Sequence, residues 1–205
     1  MLFRSLIDLG RFGLAKEPLV GDQVSLGVDV VTFSGDKILG GPQAGLIVGR
    51  RDWVKRIARN PLHRALRCGK LTVAALEATL NLYQRSATIN DDIPALRALT
   101  RPLEAIEEMA GGLLPHLQAA LGGDYVISVE DSTAEIGSGA LPMEEMPSKV
   151  IVITHATMDA DRVAERFRAA RPPIIGRIRD DRFLLDLRAI FDPQDVIPNW
   201  NGARA

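Results

Sequence analysis

The chain has 205 residues, 46% hydrophobic and 25% charged, with a net charge of −1 and a pI near 6.3. That length buries a real core in one generous domain or two small ones, and the charge balance excludes a global positive field, so any RNA must meet a local patch or another part of the protein. The single Cys68 excludes an internal disulfide, the scattered His63, His116 and His155 argue against a zinc motif, and the lack of a long apolar run or a secretion signal points to a soluble cytoplasmic protein.

In chain order, residues 1–25 read as loop, punctuated by Gly10, Gly13, Pro18 and Gly21. Val28 to Phe33 is β-branched and apolar and predicts a buried strand. A polar step, Ser34-Gly35-Asp36-Lys37, and a glycine-rich loop, Gly40 to Gly45, lead to a second short strand, Leu46 to Gly49. Arg50 to Arg59 predicts a charged helix stopped by Asn60-Pro61, and Leu71 to Tyr83 a well-buried helix with Thr72 as its cap. Pro94 and Pro102 mark a joint. Leu103 to Leu121 is helical in pattern, with Gly111-Gly112 and Pro115 expected to kink or divide it.

Strands follow at Tyr125 to Val129, Val150 to Thr154, Ile174 to Ile178 and Phe183 to Leu187, with one amphipathic helix, Asp159 to Ala169, among them. Asp159 and Asp161 at its start and Arg166 and Arg168 at its end match the helix dipole. Glu144 to Ser148 reads as exposed loop. This alternation predicts a small α/β domain over residues 95–205, whereas residues 1–94 hold too few strands for a self-sufficient sheet and read as the tail of a larger one.

The chemistry concentrates at Lys37. A buried strand that ends on a lysine, beside hydroxyls and flexible backbone, suits Schiff-base formation, which needs an amine whose neutral form can attack an aldehyde. Ser34 could donate its hydroxyl to a phosphate, and the N–H groups of Gly40 and Gly41 have no side chain in the way of one. The same residues also suit a surface turn with Asp36 and Lys37 solvated, and composition does not choose between the two. Arg64 and Arg67, three apart, would share a helix face and make a receptor for a tetrahedral oxyanion. With Lys55, Arg56, Arg59 and Lys70 nearby, a solvated basic stripe is the alternative.

Val31-Thr32-Phe33-Ser34-Gly35-Asp36-Lys37 with Leu39 to Gly45 resembles the cofactor-lysine segment of the bacterial selenocysteine synthases, the L-seryl-tRNA(Sec) selenium transferases. The resemblance continues through Pro61 to Arg67, Lys70 to Thr72, Ala74 to Leu80, Ile136 to Pro142, Gly176 to Ile178 and Leu184 to Arg188, in order and almost end to end.

It implies a fold type I, aspartate aminotransferase-like α/β architecture, with residues 1–94 as the C-terminal part of the large domain and residues 95–205 as the small one. It implies pyridoxal 5'-phosphate joined to Lys37, conversion of seryl-tRNA(Sec) to selenocysteinyl-tRNA(Sec) through a dehydroalanyl intermediate, and selenophosphate as selenium donor held by Arg64 and Arg67. Asp36 is then an electrostatic neighbour of the reacting lysine, and Ser34, Gly40 and Gly41 serve the cofactor. The family forms homo-oligomers with sites at subunit interfaces.

The ring-pairing aspartate, the stacking aromatic, the main phosphate loop and the tRNA-binding region of the family are expected upstream of Ser5 to Leu9, where Met1 to Arg4 departs from the family's Gly/Ser-rich pattern. The chain is thus expected to be a C-terminal half that by itself binds cofactor poorly and exposes apolar sheet around residues 28–49, favouring association. Two further readings stand beside this one: a lyase of the same fold acting on a small amino acid or amino-sugar acid, and an inactive assembly remnant.

Overall fold

The computed structural model describes residues 2–3, 6–14, 16, 18–135 and 145–200, so the family-like stretch at 136–142 lies outside the described residues. The chain divides into two compact units, one running to Thr100 and the other comprising Arg101–Glu135 and the chain from Glu145 onward. Helices and strands are mixed in both. Among the described residues no helix is long and apolar enough to cross a membrane.

The first unit is built on a three-stranded mixed sheet. Its strands are β1 (Leu2–Phe3), β2 (Val30–Ser34) and β3 (Gly45–Gly49), in the order β1-β2-β3. β1 runs parallel to β2, and β3 runs antiparallel to it with Val31 opposite Val48 and Phe33 opposite Leu46. Residues 1–25, expected as loop, include β1, a single 3₁₀ turn at Leu9–Phe12 and helix α1 (Val20–Ser25). α1 has no side-chain N-cap; it exists because Val20 is buried with Val31, Phe33 and Leu39. Packing there outweighs weak local propensity.

Helix α2 (Arg51–Ala58) follows β3, then α3 (Pro61–Ala65), α4 (Lys70–Arg85), α5 (Ile89–Asp92) and α6 (Pro94–Thr100). Asn60 does more than end α2: its side chain accepts from Leu62 N at 2.9 Å and so caps α3, with Pro61 at the first helical position. α4 corrects the expectation of a well-buried helix capped by Thr72. Its N-cap is Gly69, and none of its residues is fully buried. Leu76, Leu80 and Tyr83 pack on the core, while Leu71 is 87% exposed. Apolar side chains are exposed at Ile47 on β3, within the stretch where exposed sheet is expected, and also at Leu62 of α3, at Leu66 just beyond it, and at Leu71 and Val73 of α4.

The second unit has a four-stranded sheet in the order β4-β5-β7-β6, made of β4 (Tyr125–Glu135), β5 (Glu145–His155), β6 (Arg177–Arg179) and β7 (Arg182–Asp186). Every pairing in it is antiparallel. β4 and β5 pair over their full 11 residues. Glu145 to Ser148 is therefore strand and not exposed loop, with Met146 and Ser148 buried on alternate positions. The β6 strand begins only at Arg177, after Pro172-Pro173, which offer no N–H to a ladder.

Two helices cover one face of this sheet, α7 (Leu103–Leu121) and α8 (Ala160–Ala169). Asp159 caps α8 by accepting from Arg162 N at 2.9 Å. α7 runs unbroken through Gly111-Gly112 and Pro115, against the expected division. Ile106, Ala110, Leu113 and Leu117 form one buried stripe at helical spacing, and that burial holds the turn that Pro115 deprives of a hydrogen bond. Gly112 is exposed, and a Cβ there meets nothing within 4 Å. Gly112→Ala should therefore stabilise the chain by about 0.5–1 kcal/mol, read as a higher denaturation midpoint with an unchanged slope.

Candidate functional site

β2 ends at Ser34, and the chain turns over residues 35–44 before entering β3. Short backbone bonds close this loop. Gly35 N donates to Ala44 O at 2.8 Å, Gly41 N to Gly35 O at 2.8 Å and Gly40 N to Lys37 O at 2.9 Å. Gly35 has room only for a hydrogen, since a Cβ there would lie 2.5 Å from Pro42 O. Gly40 sits at φ +71°, with the Ile93 side chain where its own Cβ would be.

Within the loop, Ser34 Oγ donates to one oxygen of Asp36, and Lys37 Nζ donates to the other at 3.1 Å. The two charged side chains keep 29% (Lys37) and 26% (Asp36) of their surface in contact with solvent, so the amine is held yet reachable. The hydrogen bond from Ser34, then that from Lys37, holds the Asp36 carboxyl below its ordinary range, against the opposing effect of partial burial. Asp36 is an anion at neutral pH, and it keeps a negative charge beside the lysine amine.

The structure thus brings Ser34, Asp36, Lys37, Gly40 and Gly41 together on one tight loop. Both glycine N–H groups donate to carbonyls within the loop, Gly40 to Lys37 and Gly41 to Gly35. Arg64 lies on α3, but α3 ends at Ala65, so Arg67 does not share a helix face with it. Both arginines are exposed. Arg67 and Ser34 line a hollow of about 1160 Å³ over β2 and β3, walled by Val54 and Ile57 of α2, Leu62 and Leu66, and Val73 and Leu76 of α4. Lys37, Asp36 and Arg64 are not among the residues lining it.

Tyr83 was not visible as a site residue in the sequence. Its hydroxyl donates to Leu39 O at 3.1 Å and Ile38 O at 3.4 Å, pinning the backbone just beyond Lys37 to α4. Burial pushes its pKa up to about 12, so at neutral pH it keeps the proton that it donates. These contacts span 44 and 45 residues, and the one local signal is the placement of Tyr83 on the same face of α4 as Leu76 and Leu80.

The sheet and loop define a mixed α and β chain with a lysine–carboxylate pair at its candidate site. The SelA family, L-seryl-tRNA selenium transferase, matches residues 4–191, and the chain belongs to that family. It is 48% identical over 185 residues to an L-seryl-tRNA(Sec) selenium transferase of Alkaliphilus metalliredigens, covering 90% of this chain and 39% of that relative. The enzymes of the same name from Proteus mirabilis and Klebsiella pneumoniae are 47% and 48% identical, over 94% and 92% of this chain and 42% and 41% of theirs. The chain therefore spans about two fifths of the length of these curated relatives. Superposition on apo CalE6, a methionine gamma lyase from Micromonospora echinospora, gives a TM-score of 0.29 at 17% identity, covering 87% of this chain and 52% of that one.

Two outcomes follow from the loop. Tyr83→Phe leaves two buried carbonyls short of a donor and should cost about 1–2 kcal/mol, with faster hydrogen exchange at the Gly40 and Gly41 amides. Unchanged exchange there would show that α4 does not hold the loop. For Asp36, the folded pKa lies below the unfolded one, so its contribution is complete above about pH 4 and is lost as pH falls through the folded value. The stability gap between wild type and Asp36→Asn should be flat from about pH 5 to 8 and close under stronger acid, as read by urea denaturation at each pH.

Proposed function

We propose that this chain carries the cofactor lysine of a selenium transferase that converts seryl-tRNA(Sec) to selenocysteinyl-tRNA(Sec) with selenophosphate as donor. The observation that carries the reading is Lys37 itself, a reachable amine fixed by Asp36 on a closed loop at the end of a buried strand, in a chain of this family. On this reading residues 1–94 are the C-terminal part of a fold type I large domain and residues 95–205 its small domain. The protein works in the cytoplasm as a homo-oligomer. The family match does not favour a lyase acting on a free amino acid.

The residues present fit pyridoxal phosphate. Lys37 offers the amine that an aldehyde requires, and Ser34, three residues before it, lines a hollow large enough for a cofactor-sized ring, although Lys37 is not among the residues lining it. When bound, pyridoxal phosphate supplies an aldehyde for the seryl amine and a ring that draws charge from the α-carbon. Lys37 would hold the group by its amine, and its free Nζ would take the proton from the serine Cα. Asp36 accepts from Lys37 Nζ and stabilises the ammonium that this proton makes. Ser34 orients Asp36 through its hydroxyl, Gly40 and Gly41 set the shape of the loop, and Arg64 and Arg67 hold the anionic selenium donor with their exposed guanidinium groups.

The test is chemical and needs no turnover. The chain incubated with excess pyridoxal phosphate should develop a visible absorbance band, and borohydride should fix the label on Lys37, as located by peptide mass mapping. Lys37→Ala should abolish both. Label spread over surface lysines, or a band of equal strength in the Ala variant, would refute the assignment.

A further inference from the structure

From Arg50 to Lys70 the chain carries eight lysines and arginines against one acid, Asp52, although its net charge is −1. Elsewhere cations are often matched: Lys149 sits between Glu107 and Asp131, and Arg182 meets Glu130. Among the described residues, Arg50 is the one cation of this stretch with a carboxylate partner, Asp29 at 2.9 Å. Arg51, Lys55, Arg56, Arg59, Arg64, Arg67 and Lys70 are all exposed, and among the described residues no carboxylate forms an ion pair with them. Like charges crowded without counter-charge repel one another, a standing cost that a polyanion relieves.

The arrangement on α2 is directional. Arg51 and Lys55 on α2, and Arg59 at its C-cap with its N–H still bonded to Lys55 O, recur every four residues and so form one stripe, each step rising about 6 Å along the axis. Arg56 is placed differently, with its guanidinium 4.5 Å from the centre of the Trp53 ring. The other face of the helix turns Val54, Ile57 and Ala58 to the hollow that Ser34 and Arg67 also line. One helix therefore has an apolar face on the hollow and a cationic stripe facing solvent.

We propose that Arg51, Lys55 and Arg59 grip the phosphate backbone of the RNA substrate beside the hollow. This rests on the reading of the chain as part of a seryl-tRNA enzyme, and it gives that enzyme an RNA contact carried by the segment next to the cofactor lysine. The stripe spans about 12 Å, long enough to meet several phosphates of one strand, and flexible side chains on a helix surface read backbone charge and not sequence. Arg64 and Arg67 stay assigned to the small anion.

The test is fluorescence anisotropy of the 205-residue chain with a labelled transcript of a selenocysteine tRNA, across a salt series. The triple variant Arg51→Gln/Lys55→Gln/Arg59→Gln should bind roughly tenfold or more weakly, and its log–log salt slope should be shallower by about 2 to 3. Arg51→Lys/Arg59→Lys should retain binding. A control that removes the same charge elsewhere, Arg168→Gln/Arg171→Gln/Arg179→Gln, should bind as wild type does, and circular dichroism checks that each variant is folded. Equal losses in both triple variants would reduce the effect to net charge and overturn the proposal. So would an unchanged slope, no binding by wild type, or binding to phosphatidylserine vesicles but not to RNA. Lys37→Ala serves as a separate arm: RNA binding kept there while cofactor labelling is lost, or labelling absent throughout, separates failure of the cofactor reading from failure of this one.

Discussion

A hydrogen at Gly35 is all that the turn after β2 has space for, and the rest of the candidate site depends on that restriction. Because Gly35 lets Pro42 O approach, its own N–H and C=O can bond Ala44 and Gly41, and the ten residues from 35 to 44 close on themselves. A loop with its ends tied cannot drift, so Asp36 and Lys37 leave the sheet in a fixed direction and their pairing costs little side-chain freedom. Tyr83 and Ile93 add the outer restraint, the first by bonding carbonyls after Lys37 and the second by filling the space that Gly40 leaves. The polar chemistry is local, within four residues, while what fixes it comes from residues roughly fifty positions away.

That separation explains what could be read from the sequence. The abrupt change from Val31-Thr32-Phe33 to Ser34-Gly35-Asp36-Lys37 marks a strand end with a lysine on it, because burial and polarity switch within one residue. The loop's closure by its own amides is not legible: glycines advertise backbone freedom, and only the fold shows that Gly40 and Gly41 donate inward. The same holds for Arg67. A spacing of three implies a shared face only while the helix lasts, and α3 ends at Ala65. Tyr83 lies beyond any local rule.

In the second unit the misread elements share one cause, which is that strand length and helix continuity are decided by partners. β5 lies between β4 and β7 and is buried on both faces at its centre, Ile151 and Ile153 in the main core and Val150 and Val152 with Leu184 on the other side. Its apolar middle is obvious in the sequence. Its polar first half, Glu145 to Ser148, is strand because β4 supplies a matching edge along all 11 residues. Likewise α7 survives Pro115 because four buried side chains outweigh one missing hydrogen bond. The turn between β6 and β7 follows the same logic, with Asp180 and Asp181 both at positive φ where glycine or asparagine would be the local choice.

The stretch from Arg50 to Lys70 shows two demands met by one short run of chain. Val54, Ile57, Leu62 and Leu66 line the hollow, with Val54 and Ile57 half-buried and Leu62 and Leu66 largely exposed. The charged positions face water, where a neutral mixture of charges would serve solubility as well as cations do. Arg50 pairs with Asp29 and Arg56 lies over Trp53, but packing asks for none of the other six positive side chains. In the proposed RNA contact, that one-sided charge meets an anionic partner. The proposed roles serve two scales of anion: a compact tetrahedral ion held by Arg64 and Arg67, whose planar guanidinium groups favour paired bonds, and an extended backbone along the stripe of α2, where regular spacing counts for more than geometry at any one point.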